Sequence, residues 1–300
     1  MCKRRFKDES LARKVFRVFN VLFLGLLVLA VLIPIVDILL GSMSENWWFD
    51  KSGIPSFIKT VKSDSRFFGF KVYEKVFEKQ YFGQNLSVSV ITTVSCALLG
   101  LFVSAVCAYI SVQRDMPGAK LFWRFAVFAM IFDAGIIPQF LSMRKMGLLN
   151  TIVPVIIYDS FNFYCIVILR RFFADMPRSV FEAAELDGCT PVGMFFKLAL
   201  PLARAPLTVA GLILASNAWN EYVKYCLFIS DKSKYNLTTH AYWLALKQWN
   251  GVTHCFPDFD LPYGTEAFVW LALTVLPVLA AVSLVSKNFI PVFDMEYVKE

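Results

Sequence analysis

EAAELDGCTPVGMFFKLALP, residues 182–201, is a polar segment between two long apolar runs of the chain. Ser179 and Glu182 stand three residues apart, which is the spacing of a capping box and predicts the start of a helix. Gly188 suits the left-handed position that closes such a helix. The segment therefore predicts a short helix that ends at a glycine hinge.

A second short helix is predicted directly after that hinge. Thr190 has a good N-cap side chain, and Pro191 suits the first helical position. The helix is expected to continue through Phe195 and to end at Pro201. Together the two elements give a helix, a glycine hinge and a helix between apolar segments. An amphipathic interfacial loop, which many membrane proteins contain, would show the same pattern.

The composition around this segment is that of a membrane protein. Of 300 residues, 57% are hydrophobic and 18% are charged, with 30 Phe. Soluble domains are usually about 45–50% apolar and about 25% charged. The net charge of +7 comes from basic residues that flank uncharged runs. That arrangement indicates membrane topology rather than a nucleic-acid surface.

The uncharged runs predict an all-α membrane protein with six transmembrane helices, because about 20 apolar residues cross a bilayer. The predicted spans cover residues 18–41, 85–112, 125–143, 148–169, 205–229 and 267–286. Lys and Arg are modestly more frequent in segments 1–17, 113–124, 170–204 and 287–300 than in the others. The positive-inside rule then predicts that both termini are cytoplasmic.

Seven positions between residues 182 and 201 fit a longer pattern: Glu182, Ala183, Ala184, Gly188, Leu198, Leu200 and Pro201. The pattern resembles the EAA loop of binding-protein-dependent ABC importer permeases. Residues 135–138 (GIIP), 146–151 (MGLLNT) and 219–221 (WNE) are similar to the carbohydrate branch. The likeness is strongest to maltose-permease-like second subunits, in particular to polysaccharide-type members.

The resemblance implies an ABC type I importer permease fold with a cytoplasmic EAA coupling loop. It divides the chain into a cytoplasmic N-terminus (1–17), a first transmembrane helix (18–41), an extracytoplasmic segment (42–81), a permease core (82–290) with coupling loop 170–204, and a cytoplasmic tail (291–300). The 42–81 segment and the tail depart from the usual pattern, so their roles stay open.

In the family this loop docks into a cleft of a separate ATPase. The resemblance implies that role for Glu182, Ala183, Ala184, Asp187, Gly188 and Pro201. Small alanines would let a partner approach closely, and Glu182 can reach a basic residue across the contact. The alternative for Glu182 is that it only caps its own helix.

The resemblance also implies partners: a second homologous permease subunit in a heterodimer, two ATPase subunits, an extracytoplasmic solute-binding protein and the lipid bilayer, but no nucleic acid. The sequence has no Gly-x-x-x-x-Gly-Lys-Ser/Thr loop for phosphates. The chain is therefore predicted to be non-catalytic and without a cofactor, with ATP and Mg²⁺ held by the ATPase. The expected location is the cytoplasmic membrane of a prokaryote.

Polar residues inside spans usually face a cavity or the interior of a helix bundle. The substrate-path candidates are Tyr158, Asp159, Asn162, Asn217, Trp219, Asn220 and Glu221, together with Asp133. Each of them has an alternative role in hydrogen bonding between helices. In similar permeases the outer loop meets the binding protein, which points to His240, Trp243 and Trp249. The pairing of Cys226 with Cys255 is left open, and no metal site is expected.

The expected cargo is a sugar, and the polysaccharide-type resemblance favours an oligosaccharide, with a large or an acidic one as open alternatives. Carboxylates such as Asp159 and Glu221 would repel an acidic sugar if they lined the path. The same architecture for a non-sugar solute is the next alternative. A secondary transporter or an intramembrane enzyme comes last, because the sequence shows no convincing internal repeat and no catalytic constellation.

Overall fold

The computed structural model describes residues 11–43, 70–78, 80–113, 118–132, 134–249 and 263–293, and its regular elements there are helices. In chain order these are α1 (Leu11–Ser42), α2 (Lys71–Phe77), α3 (Gln80–Val112), α4 (Ala119–Ile131), α5 (Ile136–Lys145), α6 (Val153–Ser160), α7 (Phe163–Ala174), α8 (Arg178–Leu186), α9 (Pro191–Met194), a π-helical turn (Phe195–Ala199), α10 (Leu200–Leu202), α11 (Arg204–Asn220), α12 (Val223–Phe228), a 3-10 turn (Lys232–Lys234), α13 (Leu237–Trp249) and α14 (Tyr263–Phe293).

The chain divides into two compact units. The first comprises Met1–Val76 and Lys247–Ala272. Within its described part, the Ser42 hydroxyl lies 2.6 Å from the Tyr73 hydroxyl. The apolar side chains of α1 are mostly exposed. A helix of 32 residues with such a surface is suited to contact lipid over the thickness of a bilayer.

The second unit comprises Phe77–Leu246 and Leu273–Glu300. In its core, α3 packs against α7 and α11, and the contact buries Ala108, Leu169 and Leu214. Gly100 allows the closest approach: a Cβ there would lie 2.7 Å from the carbonyl oxygen of Ser160. Small residues at such crossings are typical of helices packed in membranes.

Within the described residues, three helical stretches are long and apolar enough to span a membrane: Val15–Ser42, Tyr81–Val112 and Val153–Ala174. The number rises to as many as five if each bent pair of helices counts as one span. The predicted spans 18–41, 85–112 and 267–286 lie entirely within α1, α3 and α14, respectively. The other three predicted spans are each interrupted.

The single helix predicted over 125–143 is instead α4 and α5, which meet at 112°. Gly135, with φ at +81° and ψ at 173°, precedes α5 and has a backbone conformation incompatible with a continuous helix. Asp133, a substrate-path candidate, lies outside the described residues.

The predicted spans 148–169 and 205–229 are interrupted at residues 161–162 and 221–222. At the first break the Asn162 side chain accepts a hydrogen bond from the Tyr164 N–H at 3.0 Å and caps α7. At the second break, Glu221 is extended, with ψ at 124°, so α11 ends at Asn220. These two breaks position the candidate site.

Candidate functional site

A cavity of about 420 Å³ lies at the two helix breaks, where the end of α6 and start of α7 approach the end of α11 and start of α12. Its lining residues are Tyr158, Asp159, Phe161, Asn162, Asn217, Asn220, Glu221, Tyr222, Val223 and Lys224. Charged, amide and aromatic side chains therefore surround one space inside predicted membrane spans.

An ionic cluster of Lys224, Asp159 and Glu221 holds the two breaks together. The ammonium of Lys224 lies 2.6 Å from Asp159 Oδ1 and also pairs with Glu221 Oε2. The other carboxylate oxygen of Glu221, Oε1, accepts the backbone N–H of Lys224 at 2.9 Å. Glu221 thus caps the first turn of α12 while it shares the ammonium with Asp159. A buried ionic group is tolerated only with such partners.

The backbone carbonyls freed at the second break are paired by side chains that lie further along the chain. Asn236 Nδ2 donates to the Glu221 carbonyl at 2.6 Å, and the Thr238 hydroxyl donates to the Trp219 carbonyl at 2.8 Å. In hydrocarbon an unpaired carbonyl costs several kcal/mol, so these bonds make an interrupted helix possible. The segment that begins α13 therefore fixes the shape of the cavity.

Six of the seven predicted path residues described here line the cavity: Tyr158, Asp159, Asn162, Asn217, Asn220 and Glu221. Trp219 does not line it, and its indole Nε1 instead donates to the Thr274 carbonyl at 2.9 Å. Lys224 was missed as a site residue. The signal that could have found it is its position three residues after Glu221, because this spacing brings two side chains together on a helix.

Aromatic side chains complete the cavity. Tyr158 stacks on Phe228 with ring centroids 5.8 Å apart, and its hydroxyl lies 3.2 Å from that of Ser142. Phe161 is 58% exposed and Tyr222 is 37% exposed. Tyr222 packs on Tyr242 with ring centroids 4.5 Å apart, so Phe161 is the most accessible of the three rings.

A second candidate site is the loop around α8. This helix ends in a Schellman motif, in which the Gly188 N–H donates to the Glu185 carbonyl at 3.0 Å and the Cys189 N–H to the Ala184 carbonyl at 2.9 Å. Gly188 has φ at +78°, which confirms the predicted left-handed conformation. The predicted capping box was wrong: α8 begins at Arg178 after Pro177, and no side chain caps it.

The residues on α8 and its hinge are largely exposed. Glu182, Ala183, Asp187 and Gly188 are exposed, and Ala184 is half-buried. Leu186 is 90% exposed, which is unusual for a large apolar side chain on an otherwise polar helix. The loop thus presents an acidic and an apolar side chain beside small residues.

The segment after the hinge connects this loop to the core. The Thr190 hydroxyl accepts the Gly193 N–H at 3.2 Å, which confirms the predicted N-cap. Phe195 packs on Tyr109 with centroids 5.1 Å apart. A π-helical turn precedes Pro201, and the helix ends at Leu202, one residue beyond the predicted end. The chain then bends by 82° into α11.

The outer-loop candidates are described only in part. His240 is half-buried on α13, Trp243 is 39% exposed, and the side chain of Trp249 lies outside the described residues, as does Cys255.

The turn at Asn150 is bonded to the segment that precedes α13. Asn150 has φ at +61°, and its Oδ1 accepts the Asp231 N–H at 3.1 Å. The Ser233 hydroxyl and N–H bonded to Asp231 lower the pKa of that carboxyl. No group of metal-ligand side chains occurs in the described ranges.

Comparisons with known proteins identify the class. No family model matches the chain. It is 31% identical over 226 residues to Protein LplC of Bacillus subtilis, covering 75% of this chain and 74% of that protein. It is 33% identical over 168 residues to the polygalacturonan/rhamnogalacturonan transport system permease protein YtcP of Bacillus subtilis, covering 56% of this chain and 59% of that protein.

A solved structure supports the same fold. The chain is similar, with a TM-score of 0.79 and 23% identity, to a chain of a bacterial ABC transporter involved in the import of the acidic polysaccharide alginate, covering 94% of this chain and 99% of that one. Apolar helices and these relatives define a multi-pass membrane permease. More narrowly, the chain belongs to the family of carbohydrate ABC transporter permeases.

Proposed function

We propose that this chain is the transmembrane permease subunit of an ATP-dependent, binding-protein-dependent importer that passes an oligosaccharide across the cytoplasmic membrane of a prokaryote. The observation that carries the proposal is the cavity at the two helix breaks in a chain of this family. Sugars present hydroxyl groups and apolar C–H faces. Amides such as Asn217 can hydrogen-bond the hydroxyl groups, and the partly exposed rings of Phe161 and Tyr222 can contact the C–H faces.

The proposed topology has six spans with both termini in the cytoplasm. The interrupted pairs α4–α5, α6–α7 and α11–α12 then each form one broken span, beside α1, α3 and α14. Discontinuous backbone at membrane depth is tolerated where it lines a cavity, as the α6–α7 and α11–α12 breaks do. In this arrangement the α8 loop faces the cytoplasm and the start of α13 faces outward.

The α8 loop is the proposed coupling element. Glu182 has no hydrogen-bond or ionic partner among the described residues, which leaves its carboxylate available for a basic side chain of an ATPase subunit. Leu186 would enter an apolar recess of the same partner, while Ala183 permits close approach. Asp187 and Gly188 fix the angle of the hinge, and Pro201 lies in the rigid connection to α11.

The energy for transport would come from ATP hydrolysis by two ATPase subunits that hold ATP and Mg²⁺, with no catalysis by this chain. Closure of those subunits would move α8, and the contact of Tyr109 with Phe195 would pass the movement to α3. A second, homologous permease subunit would complete the path. Rearrangement at the helix breaks would then open the cavity to alternate sides of the membrane.

An extracytoplasmic solute-binding protein is the proposed donor of the cargo. A second similar structure, with a TM-score of 0.56, is an alginate ABC transporter in complex with an alginate pentasaccharide-bound periplasmic protein. His240 and Trp243 on α13 are the candidates for such a contact here, together with Trp249. Because Asn236 and Thr238 at the start of α13 bind the carbonyls at the break, docking there would reach the cavity directly.

Reconstitution of the full transporter in liposomes tests this function. The complex would be supplied with ATP inside and with neutral and acidic tri- and tetrasaccharides outside, together with its binding protein. The proposal expects ATP-dependent uptake of at least one saccharide and stimulation of ATP hydrolysis by the loaded binding protein. Uptake without ATP, or uptake of none of the saccharides, would contradict it.

A further inference from the structure

We propose that the cavity selects uncharged oligosaccharides and disfavours acidic ones, and that Lys224 serves as an internal counter-ion rather than as an anchor for an anionic sugar. This inference rests on the proposed function, because it assumes that cargo passes the cavity. It narrows the cargo to a class that differs from the acidic polysaccharide imported by the structural neighbour.

The net charge of the cavity lining disfavours an anionic cargo. Two carboxylates, Asp159 and Glu221, face the cavity, and Lys224 is the only basic residue among the described lining residues. Both carboxylates share the one ammonium. The cluster is therefore negative by one charge when all three groups are ionised. Even with one carboxyl protonated it has no surplus positive charge to attract a uronate.

The ion pairs of Lys224 leave its ammonium unavailable to an anionic cargo. The Lys224 ammonium already has two carboxylate partners and lies only 2.6 Å from Asp159 Oδ1. The second oxygen of Asp159, Oδ2, is buried with no hydrogen-bond partner in the described part of the chain. An anion that entered would compete for a committed cation and would be repelled by the charge of Asp159.

The remaining lining groups suit a neutral sugar. Asn217 and Asn220 supply exposed amides, which donate and accept hydrogen bonds without charge. Phe161 supplies an accessible aromatic ring for apolar C–H surfaces, and the partly exposed ring of Tyr222, which packs on Tyr242, adds to it. A carboxylate-rich polymer is normally recognised by arginine forks or free lysines, and the described lining offers neither.

The test compares neutral and acidic cargo in the complete transporter reconstituted with its binding protein. The neutral probes are tri- and tetrasaccharides of glucose, galactose, xylose and N-acetylglucosamine, and the acidic probes are trigalacturonate and trimannuronate. Affinity of the binding protein for each probe is measured separately, and uptake is normalised to its occupancy. We expect normalised uptake of neutral probes to exceed that of acidic probes by at least tenfold.

Variants assign the selectivity to this cavity. Asp159→Asn and Glu221→Gln each remove one negative charge, and each should raise the acidic-to-neutral uptake ratio about tenfold, which corresponds to about 1.4 kcal/mol. Glu221→Gln provides a second test if Asp159→Asn assembles poorly. Glu74→Gln removes an exposed charge on α2, outside the cavity, and should leave the ratio unchanged.

Three results would overturn the inference. Normalised uptake of uronates equal to or above that of neutral probes would show that the cavity accepts anions. A ratio that stays constant in both cavity variants would show that these carboxylates do not discriminate. Uptake of no saccharide at all would overturn both the proposed function and this inference. Uptake of uronates alone would overturn only this inference.

Discussion

The cavity and the α8 loop both lie between long apolar helices, but they differ in whether their side chains have partners within the chain. In the cavity, Asp159 and Glu221 share the ammonium of Lys224, and Asn236 and Thr238 pair the carbonyls of the broken helix. On α8, Glu182 has no partner in the described chain and Leu186 is 90% exposed. The charged groups of the cavity find their partners within the chain, whereas the proposed coupling role of the loop requires another protein. Substitutions in the two regions should therefore separate stability from coupling.

The largest expected effect on stability comes from the ionic cluster. Lys224→Met would leave two carboxylates in the cavity without their cation and should destabilise the chain by about 3–5 kcal/mol. Thermal or denaturant unfolding of the purified protein in detergent measures this loss. The matched control is Lys197→Met, because Lys197 is exposed and its ammonium has no ion pair or hydrogen bond among the described residues. The control should cost no more than about 1 kcal/mol.

A stability of Lys224→Met equal to that of the wild type would break the comparison. It would mean that Asp159 and Glu221 do not depend on the ammonium, and that the cavity is not internally completed. A large loss in the Lys197→Met control would have the same consequence, because an exposed lysine without a partner would then count as much as the cluster.

The second largest effect concerns the packing that holds the cavity walls together. Gly100→Ala would place a Cβ 2.7 Å from the Ser160 carbonyl, at the end of α6, and 3.0 Å from Leu214 of α11. Overpacking of this kind costs about 1–3 kcal/mol. Gly211→Ala is the control, since its Cβ would meet Leu101 at an ordinary 3.9 Å. Unfolding of both variants in detergent checks the difference, and equal stabilities would contradict it.

The two regions also differ in how far the sequence predicts them. The hinge at Gly188 and the cap at Thr190 follow from local chemistry, so residue types alone predict them correctly. The capping box failed because Pro177 precedes a helix that already begins at Arg178. The spacing of Ser179 and Glu182 was present, but the start of the helix lies elsewhere.

The breaks at 161–162 and 221–222 could not be read from local sequence, because neither contains glycine or proline. The second break depends on Asn236 and Thr238, which lie 15 or more residues further along the chain. The polar residues within apolar spans nevertheless predicted most of the cavity lining, because such residues usually face a cavity or the interior of a helix bundle. Trp219 does not line the cavity, and its residue type and position do not reveal that its indole binds the Thr274 carbonyl.

A smaller effect on stability, but a large one on coupling, is expected at the hinge. Gly188→Ala forces a side chain into the left-handed region at φ +78°, although open space surrounds it. The strain is about 1–2 kcal/mol. If the loop relieves it by changing the hinge angle, α8 will misalign with the ATPase. ATP hydrolysis stimulated by the loaded binding protein should fall several-fold while the basal rate of the ATPase remains. Unchanged stimulation would count against the hinge as part of a lever.

The smallest effect on stability is expected where the loop is most exposed. Leu186→Glu replaces a side chain that is 90% exposed, so the free energy of unfolding should change by no more than about 0.5 kcal/mol. If Leu186 enters an apolar recess of the ATPase, the charge must be desolvated on docking, and the affinity of the ATPase should fall about thirtyfold, or about 2 kcal/mol. Leu186→Met keeps the apolar volume and should bind like the wild type. Surface-immobilised ATPase titrated with the detergent-purified permease measures both. Full affinity of Leu186→Glu would mean that this exposed leucine contacts lipid or solvent instead, and that the loop's need for a partner rests on Glu182 alone.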